Sequence, residues 1–292
     1  MELNKKEEKY IEFISKKIAN GKRVQELVLL ELLITKQDDF LEKWQKILKD
    51  EYAIDVNPNM QKNIINIFTN EFPTGSSKKT YEDCIFISNN NGIYRVNNDF
   101  LQLLHNDEFV KMIKELIVLG KNRFNTQYRK KYKNTDFALY QKYTYEDVCR
   151  LLNWEHNLVP LNIGGYKYDR QTNTFPVFIN YMKDDSVSAS INYEDRFINN
   201  KRFISISKSG RNMASEDVQN FLHAQERNID VELFVRKNKD DEISKEFYYL
   251  GKINATGNAK EFVMKNTDKT AVEIEWILDT SVRDDIYDYI IK

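Results

Sequence analysis

The chain has 292 residues, with 44 Lys plus Arg against 45 Asp plus Glu, and 41 % of it is hydrophobic. That length suggests two domains at roughly 100–200 residues each, and a net charge of -1 excludes a uniformly basic or acidic surface. With 17 Tyr, 17 Phe and 3 Trp against 9 Gly and 4 Pro, disorder and low complexity are excluded, because so much aromatic surface must be buried or used.

From Lys5 to Leu48 apolar residues recur at threes and fours, as in Tyr10, Phe13, Ile14, Ile18 and again in Phe40, Trp44, Ile47, Leu48. This is helical periodicity, broken near Asn20-Gly21 and near Gln37-Asp38-Asp39. The most apolar stretch, Val24 to Thr35, still contains Gln25, Glu26 and Glu31 and reads as an amphipathic or buried helix. Met60 to Phe68 reads as a fourth helix. Tyr81 to Val96 mixes β-branched and aromatic residues around Ser88-Asn89-Asn90-Asn91-Gly92, a hairpin signature. Asp99 to Leu119 returns to helix, with Gly120 as its expected C-cap.

Lys121 to Asn134 carries Lys121, Arg123, Arg129, Lys130, Lys131 and Lys133 among Phe124, Tyr128 and Tyr132, with no acid. Such a segment is expected to be exposed, either as a solvated charged face or as a nucleic-acid footprint whose cations displace counterions from phosphates.

Beyond residue 135 the pattern changes. Tyr145 to Leu152 predicts a short helix capped at Thr144. Strands are expected over 165–169, 176–183, 202–207, 229–237, 246–253, 261–266 and 272–278, with one helix over 215–227. The expected fold class is α+β, with a helical domain over 1–135 and a curved sheet or small barrel over 136–292. Trp154 and Phe247-Tyr248-Tyr249 are expected to be core.

Catalytic and metal motifs are not evident. His105, His156 and His223 stand alone, Cys84 and Cys149 have no metal-ligand spacing, and there is no G-x-x-x-x-G-K-[ST] loop. Ser207-Lys208-Ser209-Gly210-Arg211 lacks the flanks of a hydrolase elbow. The acid-x-Lys triplet Glu7-Glu8-Lys9 falls in a charged helix rather than a strand. No catalytic residue, metal or cofactor is therefore expected. Without a disulfide framework, an apolar N-terminal leader or a run of ~20 apolar residues, the expected setting is cytoplasmic, with no membrane partner.

Between Leu139 and Gly251 several ordered blocks stand out: LYQKYTYEDVCRLLNW from 139, GGYKYD from 164, FPVFINYMKDD from 175, YEDRF from 193, FISISKSGRNMAS from 203, ELFVRK from 232 and FYYLG from 247. In order and spacing they resemble the C-terminal module of bacterial superfamily-two helicases that also carry a phospholipase-D-type nuclease domain, as in type IV, modification-dependent restriction enzymes. The resemblance implies a fold related to the SET- and RING-associated (SRA) domain. It also implies double-stranded, modified DNA as the partner, with 5-methylcytosine read by base flipping in a system that restricts phage DNA. Helicase and nuclease domains are implied as further partners, since this chain carries neither the helicase motifs nor the paired H-x-K motifs. The helical first half resembles the segment that joins the motor to that module. Two residues after Phe203, where related modules have Trp, this chain has Ser205.

A flipped cytosine needs flat faces, an acceptor for its amino group and cations along its backbone. Tyr181, Tyr193 and Phe197 are the candidate faces, Asp195 the acceptor, and Lys183, Lys208 and Arg211 the phosphate contacts, with Ser207 and Ser209 adding hydrogen bonds. Residues 200–212 hold four cations and no acid. Each role has a structural rival: Tyr181 as strand packing, and Asp195 as a turn cap or a partner of Arg196 or Lys201. Two other functions stay open, a DNA-binding accessory of a helicase that does not read modification, and a metal-dependent nuclease with an unrecognised site.

Overall fold

The structure, a computed structural model, describes residues 2–36, 39–182, 195–238, 245–265 and 267–292. It divides into two compact units, one of residues 1–138 and 149–159, the other of residues 139–148 and 160–292.

The first unit is built from α1 (Lys5–Phe13), α2 (Val24–Ile34), α3 (Phe40–Tyr52), α4 (Pro58–Phe68), α5 (Ser76–Thr80), the hairpin β1 (Ile87–Asn90) and β2 (Ile93–Val96), α6 (Asn98–Leu103) and α7 (Asp107–Arg123). Asn4 and Glu7 form a reciprocal capping box at α1, and α4 starts with Asn57 as cap and Pro58 in its first turn. Asn91 and Gly92 take φ of 53° and 87°, as a tight two-residue hairpin turn requires. Helix α2 is buried almost all round, including Gln25 and Glu26. Its charge is met inside the unit: Arg150 pairs with Glu26, Arg23 lies 3.6 Å from the same carboxylate, and Asn63 accepts from Arg23 at 2.5 Å.

Two expectations fail here. Gly120 does not cap a helix, because α7 runs on to Arg123. A Cβ at Gly120 would sit 2.6 Å from Leu27 Cδ2 and 3.2 Å from Ala19 Cα, so glycine is there to let α7 approach α2. The basic segment after Gly120 is not simply solvated either. Phe124 and Tyr128 are buried, Lys121 pairs with Glu31 at 2.6 Å, Arg123 donates to Ala19 O at 3.0 Å and Lys131 to Asp136 O at 2.6 Å. Half of its cations thus hold the unit together, which weakens the nucleic-acid reading of this stretch.

The second unit holds β3 (Lys142–Tyr143), most of α8 (Tyr145–Leu151), α9 (Pro160–Ile163), β4 (Thr174–Met182), β5 (Arg196–Asn199), β6 (Arg202–Ile206), α10 (Glu216–Leu222), β7 (Asp230–Asn238), β8 (Phe247–Val263), β9 (Thr270–Leu278) and α11 (Asp284–Ile291). Its seven-stranded sheet has the order β4-β7-β8-β9-β6-β5, with β3 also paired to β8. β4 runs parallel to β7 and the other pairs are antiparallel. The fold class is α+β, as expected.

The inner face alternates along each strand: Val231, Leu233 and Val235 on β7, Val272, Ile274, Trp276 and Leu278 on β9, closed by Phe221 of α10 and by Ile286 and Ile290 of α11. β4 and β7 are buried on both faces, since Phe178 stacks on Phe234 at 5.2 Å and meets Tyr145 at 4.4 Å. The sheet curls until its edge strands approach, with the rings of Tyr181 on β4 and Phe197 on β5 only 5.7 Å apart.

Several expected strand limits shift. The segments 246–253 and 261–266 belong to one long strand, because the punctuation around Gly257 is absorbed where the β8-β9 register shifts between Ala255 and Ala259. Residues 165–169 form no strand and touch β4 through the isolated bridges Tyr166↔Val177 and Asp169↔Thr174. α10 is shorter than the expected helix over 215–227. Trp154, Phe247 and Tyr249 are buried, as expected, whereas Tyr248 is half-buried.

Candidate functional site

Between β4 and β6 the curled sheet leaves a cavity of about 140 Å³. Its walls are Val177 to Ile179 of β4, Ser205 and Ile206 of β6 with Ser207 and Lys208 after it, the Gly164-Gly165-Tyr166 segment, Asp195, Phe221 and Ile274. Asp195 sits just before β5 and its Oδ1 accepts the backbone N–H of Ile206 at 2.9 Å, which fixes the carboxylate at the cavity wall. Gly164 and Gly165 have φ of 53° and 92°, a consecutive left-handed pair that brings bare backbone to the cavity wall. Phe178 N–H donates to Gly165 O at 2.7 Å and ties that turn to β4.

Ser205 faces Trp276 inside the sheet. The indole Nε1 donates to Ser205 Oγ at 2.8 Å, and both residues are buried. A small residue at 205 therefore seats the tryptophan of the neighbouring strand.

A wider depression of about 610 Å³ shares Tyr166 and Lys208 with the cavity. Arg211 and Asp217 lie on its rim, Arg211 Nε donating to Asp217 Oδ2 at 2.7 Å and Tyr166 Oη donating to the same oxygen at 2.9 Å. Burial alone would raise the Asp217 pKa, but the bonds from Arg211 and Tyr166 outweigh it and hold the carboxyl below its ordinary range.

The residues expected to form the site are dispersed. Asp195, Ser207 and Lys208 border the cavity and Arg211 the wider depression. Tyr181 and Phe197 pack on each other, and Phe197 also on Phe203 at 5.7 Å, so they close the sheet instead of lining the cavity. Lys183 and Tyr193 lie outside the described residues. Ser207 is buried, accepting from Val272 N–H at 2.8 Å and donating to Lys208 O at 3.2 Å, so its hydroxyl is spent within the sheet; Ser209 is exposed.

The cations of residues 200–212 do not present one sign of charge. Arg202 pairs with Glu275 of β9 and Arg211 with Asp217, while the Lys208 ammonium donates to Ile163 O at 2.8 Å and Tyr166 O at 2.9 Å. Strand pairing supplies acids that are remote in sequence, because β9 places Glu273 and Glu275 opposite Ile206 and Ile204. Sequence reading missed Gly164, Gly165 and Tyr166 as wall residues; their signal was the Gly-Gly-Tyr triplet itself.

Chemically, the cavity offers a carboxylate, backbone groups and apolar sides, which suits a flat heterocycle with an exocyclic amino group. Among the described residues no group of three or more His, Cys, Asp or Glu is placed to hold a metal ion. Among them, too, no helix is long and apolar enough to cross a membrane.

The chain is similar in fold to the SRA domain of SUVH5 in a complex with hemimethylated CG DNA, with 11 % identity over 50 % of this chain and 91 % of that one and a TM-score of 0.33. A SUVH5 SRA complex with methylated CHH DNA gives 10 % identity, 50 % and 92 % coverage and a TM-score of 0.32. KRYPTONITE in complex with mCHG DNA and SAH gives 11 % identity over 60 % of this chain and 38 % of that one, with a TM-score of 0.35. No curated protein matches the chain. Family models match residues 137–290, described as a domain of unknown function (DUF3427), and residues 1–146, described as a domain of unknown function (DUF8090). The chain belongs to the DUF3427 family through its second unit and carries the DUF8090 domain in its helical half.

Proposed function

We propose that the second unit is a DNA reader that takes a single modified cytosine, 5-methylcytosine or a close relative, out of double-stranded DNA into the cavity between β4 and β6. The observation that carries this reading is the placement of Asp195, held by Ile206 N–H at 2.9 Å on the wall of a cavity of about 140 Å³. That volume suits one base and not a whole nucleotide. The carboxylate accepts from the cytosine amino group, and the Gly164-Gly165 backbone in the cavity wall offers its groups to the base edge. The SRA structures named above contain methylated DNA.

Burial of one methyl group contributes only ~1 kcal/mol, so discrimination rests on the fit of the whole cavity. In this reading the chain binds without catalysing. It serves a modification-dependent restriction system against phage DNA, in which helicase and nuclease domains supply the activities and the helical unit is the connector.

Fluorescence anisotropy with duplexes that differ only in one modified cytosine tests the reading. A preference for the modified duplex of tenfold or more is expected. Equal affinity across several sequence contexts overturns it and leaves a DNA-binding accessory indifferent to modification.

A further inference from the structure

Lys208 was expected on a phosphate, yet its surroundings are those of a structural clamp. Its Nζ bonds Ile163 O at 2.8 Å and Tyr166 O at 2.9 Å, the two carbonyls that bracket Gly164 and Gly165. The ammonium also lies 4.6 Å from the centre of the Tyr166 ring, and the backbone N–H of Lys208 donates to Tyr166 Oη at 3.0 Å. The stem runs against the turn as well, since a Cβ built on Gly164 would meet Lys208 Cε at 3.6 Å. Burial, followed by the charges of Lys167 and Arg211, holds the Lys208 pKa below its ordinary value. Two consecutive left-handed residues are a costly arrangement with few intrinsic restraints, and here one cation spans them.

From this geometry we infer that Lys208 is a positioning residue: it folds the Gly164-Gly165 turn around its ammonium and so sets the width of the cavity, without contacting DNA phosphate. The link to base discrimination rests on the proposed function; the clamp itself does not.

Lys208→Met keeps the stem and removes the charge, and two readouts separate the cases. In the free protein, amide exchange at Phe178, whose N–H is held by Gly165 O, is expected to accelerate at least tenfold while β4 amides paired with β7 stay protected. Unchanged protection of Phe178 overturns the clamp, whatever the protein binds. With DNA, the affinity ratio of modified to plain duplex is expected to fall at least tenfold, with an unchanged slope of log K against log salt. A slope shallower by about 0.9 with the ratio retained means a phosphate contact and overturns the proposal. If the unsubstituted protein prefers neither duplex, the reading of the cavity fails, and the exchange readout still decides the clamp. Lys208→Gln, a shorter neutral donor, gives the same comparisons should Lys208→Met fail to fold.

Discussion

Asp195 Oδ1 accepts the backbone N–H of Ile206 at 2.9 Å, joining the residue just before β5 to the last residue of β6. This bond turns a loop carboxylate into a fixed part of the cavity wall. Asp195→Asn keeps an acceptor for Ile206 but brings two amide donors toward a base whose amino group is itself a donor. The expected result is at least a tenfold loss of affinity for modified duplex, read by anisotropy, with thermal unfolding close to that of the parent chain.

Ser205 and Trp276 give a stability prediction. Ser205→Ala strips the acceptor from a buried indole N–H. An unsatisfied buried donor costs about 1–3 kcal/mol, and urea unfolding should show a loss of that size in the second unit.

The charged interior of the helical unit predicts a larger loss. Glu26 is 1 % exposed and faces both Arg23 and Arg150. Glu26→Gln leaves two buried guanidinium groups short of a counter-charge, for which a loss of about 3–5 kcal/mol is expected. Burial already depresses the Arg23 pKa, which the surrounding carboxylates only partly oppose. Loss of the helical unfolding transition at 37 °C, read by circular dichroism, checks this.

These features differ in how far the sequence reveals them. The hairpin at Asn91-Gly92 was legible because that dipeptide adopts positive φ cheaply, and the helices were legible from their spacing. Gly120 was misread because a glycine that ends a helix and one that admits a neighbouring helix look alike without the partner, here Leu27. Asp195, singled out from its sequence block, lies on the cavity wall. The seating of Trp276 on Ser205 depends on the register of β6 against β9, and the pairing of Arg202 with Glu275 depends on the same register. Neither can be read from residues separated by some seventy positions in the chain.

Glu232 predicts a pH dependence. It is buried on β7, accepts from Tyr249 Oη at 2.6 Å, and burial pushes its carboxyl pKa from 4.5 up to about 7. Because the folded state then holds a proton that the unfolded state has lost, stability falls as pH rises from about 4.5 to about 7. The contribution is at most about 3 kcal/mol, at 1.36 kcal/mol per pKa unit. In urea melts across this window, Glu232→Gln should flatten the decline; an unchanged slope would place the titration elsewhere.

In the proposed reading one base leaves the helix and enters the cavity between β4 and β6. A 2-aminopurine placed next to the modified cytosine reports this directly, since its fluorescence is quenched while it is stacked. Saturating protein should raise the emission several-fold on modified duplex and leave plain duplex nearly unchanged, and the rise should vanish with Asp195→Asn. Tight binding of modified duplex with no change in emission would rule out base flipping, because the base would then be read in place.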